Sequence, residues 1–166
     1  MRRTVIGVMG PAAAGRALES TAFELGRSIA QEGWVLLTGG RDCGVMDAAS
    51  RGAKAVGGSI TVGILPDGYR TNAISDAVDI AIFTGMGDAR NAINVQSSDV
   101  IVACGAATPG TLSEVALALK AGKPVIVLGA EPVAREFLSL CGDNRIQFAS
   151  DAADAVGQVR RLLAAS

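Results

Sequence analysis

The sequence predicts a doubly wound α/β fold, with about seven mostly parallel strands in one sheet and helices on both faces. Short apolar runs of strand length alternate with longer segments of helical spacing along the chain. Hydrophobic residues make up 49% of the sequence and aromatic residues only 4%, and 21 residues are glycine. This composition is typical of a buried parallel sheet packed closely against helices. Residues 1–166 are expected to form a single domain, because no linker-like stretch interrupts them.

The elements follow from hydrophobic periodicity. The predicted strands are Thr4–Met9, Trp34–Leu37, Ile60–Leu65, Val78–Phe83, Val100–Cys104, Val125–Leu128 and Ile146–Phe148. The predicted helices are Ala17–Gln31, Val45–Ala55, Asp88–Ser98, Thr111–Ala121, Val133–Leu140 and Asp151–Ala164. A polar segment with Gly and Pro, Pro66–Asp76, is expected to cover the site.

Charge and hydropathy exclude several classes of function. The net charge is −1, from 15 basic and 16 acidic residues, which argues against a nucleic-acid or membrane surface. No apolar run reaches the roughly 18 residues of a membrane-spanning helix. The first apolar run, Val5–Met9, is broken by Gly10 and Pro11, so it predicts a strand and not a signal peptide. A cytoplasmic location is expected.

The chain lacks the usual residues of metal and triad chemistry. It contains no histidine, which removes the commonest metal ligand and general base. Its three cysteines, Cys43, Cys104 and Cys141, form no C-x-x-C pair, so no metal site is expected. Cys43 and Cys104 fall at or beside predicted loops. Inert, buried thiols are favoured, and contact of either with a ligand stays open.

Four glycine-containing loops indicate a binding site. They follow the first, second, fourth and fifth strands, and they are Gly10–Gly15, Gly39–Gly44, Thr84–Asp88 and Gly105–Gly110. In a parallel sheet these loops meet at one edge, where ligands bind near the reversal of strand order. Small residues before a helix allow an anion to approach the free N–H groups of its first turn. The pattern predicts an anionic, nucleotide-like ligand.

Two charged residues near these loops each have a structural and a functional interpretation. Thr111-x-x-Glu114 has the form of a capping box, in which the glutamate would only close a helix start. Alternatively, Glu114 could stabilise a developing sugar cation or orient water. Arg90 follows Asp88, a residue typical of a helix N-cap, and could face solvent or grip a phosphate or carboxylate.

Three segments of the chain resemble a known superfamily. They are Gly39–Pro66, Met86–Asn91 (MGDARN) and Pro109–Glu114 (PGTLSE). Together they are similar to the Lonely-Guy-like superfamily, whose fold is Rossmann-like. Within it, VMGP, GWVLLTGG and EVALALKAGKPVIVLG most resemble the molybdenum cofactor carrier proteins. The similarity covers essentially residues 4–130.

The resemblance implies one of two functions. Enzymes of the superfamily release the base from nucleoside 5′-monophosphates with a PGGxGTxxE motif and an upstream arginine, which Arg90, Gly110, Thr111 and Glu114 match. The family diglycine is replaced here by Ala106-Ala107-Thr108, whose side chains would obstruct a phosphate. Carrier members have altered this motif and bind the phosphorylated pyranopterin of molybdenum cofactor as homo-oligomers. Dimers or tetramers are therefore implied, with molybdoenzymes or cofactor-synthesis proteins as partners.

The carrier function is preferred, with the phosphoribohydrolase as alternative and a nucleotide sensor without turnover as a third possibility. In a carrier, Gly39–Gly44 and Gly105–Thr111 would hold the phosphate, and the pterin would lie across the loop after the fourth strand. Arg90 and Glu114 would be catalytic only in the enzyme. The predicted ligand-binding residues are Gly10, Pro11, Gly39, Gly40, Arg41, Gly44, Val45, Met46, Gly85, Met86, Arg90, Asn91, Gly105, Gly110, Thr111 and Glu114.

Overall fold

A parallel sheet of seven strands forms the centre of the molecule in the computed structural model, which describes residues 2–69, 73–106 and 108–165. The strands are β1 (Val5–Met9), β2 (Val35–Thr38), β3 (Thr61–Leu65), β4 (Ile80–Phe83), β5 (Val100–Cys104), β6 (Val125–Leu128) and β7 (Ile146–Ala149). Their order is β4-β3-β2-β1-β5-β6-β7, and every pairing is parallel. The prediction of a doubly wound α/β sheet is confirmed.

Helices cover both faces of the sheet. They are α1 (Arg16–Gln31), α2 (Gly44–Lys54), α3 (Asn91–Gln96), α4 (Pro109–Lys120), α5 (Pro132–Gly142) and α6 (Ala152–Ala164). Short 3₁₀ turns lie at Gly87–Arg90 and Asp143–Arg145. Within the described residues, no helix is both long and apolar enough to cross a membrane.

Two hydrophobic cores lie on opposite faces because successive side chains of a strand point to opposite sides. In β5, Val102 and Cys104 join the core beneath α1, α2 and α6, whereas Ile101 and Ala103 join the core beneath α3, α4 and α5. The central strands are therefore apolar throughout, as a sheet covered on both faces requires.

Helices α1 and α2 touch at the level of their backbones. A Cβ atom on Gly26 would lie 1.9 Å from the carbonyl oxygen of Ala49, and one on Gly52 would lie 1.9 Å from that of Phe23. Each helix thus contributes a glycine at the point where the other helix passes closest. Only residues without a side chain allow this approach.

The predicted start of α4 is wrong. The helix begins at Pro109 with Thr108 as its N-cap, two residues before the expected start. Glu114 does not reach back to close a capping box, because its carboxylate accepts a hydrogen bond from Asn94 instead. Asp88 likewise makes no helix cap, since it lies within the 3₁₀ turn before α3.

The segment after β3 is tied to the turn after β2. The amide of Asp42 donates to the carbonyl of Ala73 at 3.1 Å, and that of Ser75 donates to Gly40 at 3.0 Å. Arg41 and Ile74 form an antiparallel bridge between these two bonds. Residues 70–72 of the expected cover lie outside the described residues, so covering of the site stays a prediction.

Candidate functional site

The candidate site is a cavity of about 300 Å³ at the point where the strand order reverses, between β1 and β5. This is the position where open parallel sheets bind ligands, and the volume is at the lower end for small-molecule pockets. The loop after β1, the turn after β2, the 3₁₀ turn after β4 and the start of α4 form its wall. The wall residues are Val8, Met9, Gly10, Pro11, Ala12, Ala13, Gly39, Arg41, Met46, Asp88, Arg90, Asn91, Thr108, Gly110, Thr111 and Glu114.

Most of the residues predicted from the sequence meet at this wall. They are Gly10, Pro11, Gly39, Arg41, Met46, Arg90, Asn91, Gly110, Thr111 and Glu114. The predicted residues that do not line the cavity are Gly40, Gly44, Val45, Gly85, Met86 and Gly105. For all sixteen predicted residues, whether or not they line the cavity, contact with a ligand stays a prediction.

Sequence reasoning missed several wall residues. Ala12, Ala13, Asp88 and Thr108 fall within or beside the predicted glycine-containing loops, so extending the prediction to whole loops would have included them. Val8 and Met9 belong to β1, and their apolar pattern indicated only a buried strand.

Arg90 places a buried positive charge at the cavity. Its residue is only 9% exposed, and within the described residues its Nε atom has no hydrogen-bond partner. The guanidinium lies against Gly39, where an added Cβ would stand 2.7 Å from Nη1. Burial lowers the pKa of Arg90; the charge of Glu114 opposes this shift, and that of Arg41 adds to it. A buried guanidinium with unused donors favours an anionic or hydrogen-bond-accepting ligand.

Glu114 places a buried carboxylate at the same cavity. It is 6% exposed, and its Oε1 accepts a 2.8 Å hydrogen bond from Nδ2 of the fully buried Asn94. Burial raises the pKa of Glu114, while the Asn94 hydrogen bond and the charge of Arg90 act against that shift. Helix α4 supplies Glu114 and α3 supplies Asn94, so packing of these two helices fixes the carboxylate.

The first turn of α4 can receive an anion. The N-cap, Thr108, makes no side-chain bond to the backbone amides of the turn, and its hydroxyl lies 3.0 Å from that of Thr111. Backbone amides at such a helix start attract negative charge. Ala106 is 6% exposed and packs in the core beneath α4, whereas Thr108 lines the cavity, so obstruction of a phosphate by this segment stays a prediction. Ala107 lies outside the described residues.

The cysteines do not line the cavity. Cys104 is fully buried in the core beneath α1, and burial raises the pKa of its thiol to about 12. Cys43 lines a neighbouring groove beside α1 and α2, where burial and then the charge of Asp42 raise its pKa. Cys141 is exposed on α5. In the described part of the chain, no group of three or more His, Cys, Asp or Glu residues is placed to hold a metal ion.

The parallel sheet, the cavity at its switch point and the glycine-rich turns define an α/β protein with a candidate ligand-binding site at the edge of its sheet. The chain belongs to the SLOG cluster4 family, whose model matches residues 3–158. The resemblance of the sequence to the molybdenum cofactor carrier proteins is confirmed by similar solved structures.

Two solved structures are similar over almost the whole chain. The molybdenum cofactor binding protein of the phototrophic bacterium Rippkaea orientalis is 50% identical, with a TM-score of 0.93 over 98% of this chain and 99% of that one. The molybdenum cofactor carrier protein of Chlamydomonas reinhardtii is also 50% identical, with a TM-score of 0.91 over the same shares. An uncharacterized protein of Archaeoglobus fulgidus is 43% identical over 128 residues, 77% of this chain and 82% of its own.

Proposed function

We propose that this protein binds and carries molybdenum cofactor, a phosphorylated pyranopterin. The observation that supports this function most strongly is the 50% identity, over 98% of the chain, to proteins described as binding or carrying that cofactor. The cofactor would be the cargo of the protein, and the cavity at the switch point is its proposed site.

The chemistry of the cavity wall supports this proposal. The turn that contains Arg41 and the first turn of α4 approach the cavity from two sides, and together they offer a positive charge and free backbone amides to the phosphate. The pterin would then extend toward Arg90 and the loop after β4. The unpartnered donors of Arg90 are the kind of group that a bound ligand satisfies.

Cofactor retention tests the proposal. Purified protein is mixed with cofactor released from a molybdoenzyme and desalted, and protein-bound molybdenum and oxidised-pterin fluorescence are measured. We expect near-stoichiometric retention by the parent protein and at least about a tenfold loss in Arg90→Met, because a buried charged hydrogen bond is lost. Arg27→Met, which changes an exposed arginine of α1, is the control. Absence of retention by the parent protein would refute the proposed carrier function.

One observation favours a second function, a nucleoside 5′-monophosphate phosphoribohydrolase. Arg90 and Glu114, which match the catalytic positions of the enzymatic branch, are both buried at one cavity. A carboxylate there could stabilise a ribosyl cation or orient water. A free-base release assay across purine and pyrimidine nucleoside monophosphates tests for this enzymatic activity. Release that Glu114→Gln abolishes would establish the enzyme, whereas no release from any substrate would exclude it.

We also propose that the protein assembles into homo-oligomers, dimers or tetramers. Two apolar surfaces support assembly. The first, the β4 surface, comprises Ile80 and Ile82, which lie on one face of β4 and are 49% and 43% exposed. The second, the α5 surface, comprises Val133, Phe137 and Leu140, which are 75%, 53% and 81% exposed. Exposed apolar patches of this kind mark interaction sites. Molybdoenzymes or cofactor-synthesis proteins are the proposed partners for transfer.

A further inference from the structure

The buried polar groups of the cavity leave a specific set of hydrogen-bonding positions unfilled. Oε1 of Glu114 accepts from Asn94, whereas Oε2 has no hydrogen-bond partner in the described part of the chain. Nε of Arg90 likewise has no partner among the described residues. Both side chains are more than nine-tenths buried and line the cavity. An acceptor oxygen of Glu114 and a donor nitrogen of Arg90, in two residues that line the cavity, are therefore left without a protein partner among the described residues.

Glu114 and Arg90, both among the described residues, lie close enough for their charges to interact, but their side chains form no hydrogen bond with each other. Each charge acts on the pKa of the other residue. Within the described residues, however, no ion pair of 4.0 Å or less joins them. The two groups thus present an acceptor and a donor at the same cavity, and buried polar groups of this kind are normally hydrogen-bonded.

A ring edge that places two N–H donors beside an oxo acceptor matches this arrangement. In a 2-amino-4-oxo pteridine, the 2-amino group and N3–H are the donors and O4 is the acceptor, whether the ring is oxidised or reduced. Guanine offers the equivalent sequence, and a guanidinium pairs well with its O6 and N7 acceptors. Adenine lacks the paired donors. The free oxygen of the Glu114 carboxylate can accept from these donors while the Arg90 guanidinium donates to the ring oxygen.

We infer that Glu114 and Arg90 together recognise the 2-amino-4-oxo edge of a pterin ring, and that Glu114 determines specificity for the 2-amino group. This inference rests on the proposed function and deepens it. Asn94 acts as a positioning residue, because its hydrogen bond fixes one carboxylate oxygen and leaves the other for the ring. The phosphate is left to the turn containing Arg41 and to the first turn of α4.

A matched pair of ligands tests the inference on the unmodified protein. The probes are neopterin monophosphate and its lumazine counterpart, in which an oxo group replaces the 2-amino group. Binding is measured by calorimetry or by quenching of ring fluorescence. Because an oxygen would face the Glu114 carboxylate in the lumazine, we expect the pterin to bind at least about tenfold more tightly. Equal affinities for the two rings overturn the inference even if molybdenum cofactor itself is retained.

Variants identify the residue responsible. Glu114→Gln can still accept the Asn94 hydrogen bond, and it should reduce the preference to about threefold or less. Glu136→Gln, on the exposed face of α5, is the control and should keep the full preference. A preference that survives in Glu114→Gln overturns the inference.

A nucleotide pair separates failure of the inference from failure of the proposed function. If guanosine monophosphate binds at least about tenfold more tightly than adenosine monophosphate but neither pteridine binds, the recognised edge belongs to a guanine ligand and the pterin assignment fails. If none of the four probes binds, the inference is overturned, and cofactor retention then judges the carrier function separately.

Discussion

Burial of single residues, more than their position in the sequence, gives the cavity its chemistry. Arg90 and Glu114 belong to residue types that are almost never fully buried unless paired. Here each has a neighbour that limits the cost of burial: Glu114 has Asn94, and Arg90 has the charge of Glu114. Neither neighbour satisfies all of the hydrogen-bonding atoms of Arg90 or Glu114, and the unpartnered atoms are available to a ligand.

Glu114 should make stability depend on pH. Because burial raises its pKa, the folded protein holds the proton more tightly than the unfolded chain does. The stability contributed by the protonated group is therefore present at low pH and is lost as pH rises from the ordinary value of 4.5 through the raised value. Glu114→Gln does not titrate, so its melting temperature minus that of the parent should increase with pH across this window.

Thermal unfolding of ligand-free protein between about pH 4 and pH 8 measures this difference. Glu136→Gln, an exposed glutamate of α5, provides the control. A difference between Glu114→Gln and the parent that stays constant with pH would contradict the assignment of a raised pKa.

Gly39 should be needed to seat Arg90. A Cβ atom at this position would stand 2.7 Å from Nη1 of Arg90 and 2.6 Å from Sδ of Met46, the mobile ends of two side chains. Gly39→Ala should therefore fold but displace the guanidinium, and we expect roughly a tenfold or greater loss of bound cofactor. Gly15→Ala, where a Cβ meets nothing within 4 Å, should bind as the parent does. Equal retention by both variants would contradict a need for Gly39 in seating Arg90.

At the scale of elements, the close approach of α1 and α2 should be intolerant of a single methyl group. In Gly26→Ala the added Cβ would overlap the Ala49 backbone carbonyl, which cannot move without shifting the helix. Helix propensity alone would favour alanine by about 1 kcal/mol, but we expect net destabilisation of about 2–3 kcal/mol from overpacking. Urea denaturation measures it. Gly57→Ala, which has open space around it, should be nearly neutral.

The sequence predicted elements well where the signal was local. The bounds predicted for Val100–Cys104 and Val125–Leu128 are those observed, because continuous apolar runs in buried strands end abruptly at polar or glycine residues. The start of α4 was predicted two residues late. Pro109 fits the first helical position because its missing N–H costs nothing there, and this local signal was overlooked.

Contacts between distant residues could not be read from the sequence. The segment Asp88–Ser98 has the composition of one helix, yet a 3₁₀ turn precedes α3 and turns Arg90 inward against Gly39. The Asn94–Glu114 hydrogen bond depends on the packing of α3 against α4. Sequence patterns placed both charged residues near the loops, but only the tertiary structure shows that they are buried beside each other.

At the scale of the whole molecule, the exposed apolar surfaces should determine assembly. We expect light scattering to give the mass of a dimer or tetramer for the parent protein. We also expect Ile82→Lys to reduce that mass, because β4 is an edge strand with exposed apolar side chains. Leu140→Lys is the matched change on the α5 surface. If Leu140→Lys alone reduces the mass, the assembly uses α5; a monomeric parent would contradict assembly altogether.

The backbone contacts between α1 and α2 also bear on the entropy of ligand binding. The two helices begin at the loop after β1 and the turn after β2, which form one side of the cavity. The amide of Val45 at the start of α2 also donates to the carbonyl of Pro11 at 3.1 Å and ties these two segments together. Their spacing is therefore set when the protein folds. A ligand that enters the cavity does not have to order these two segments. Its binding free energy is therefore not reduced by the entropy cost of ordering them.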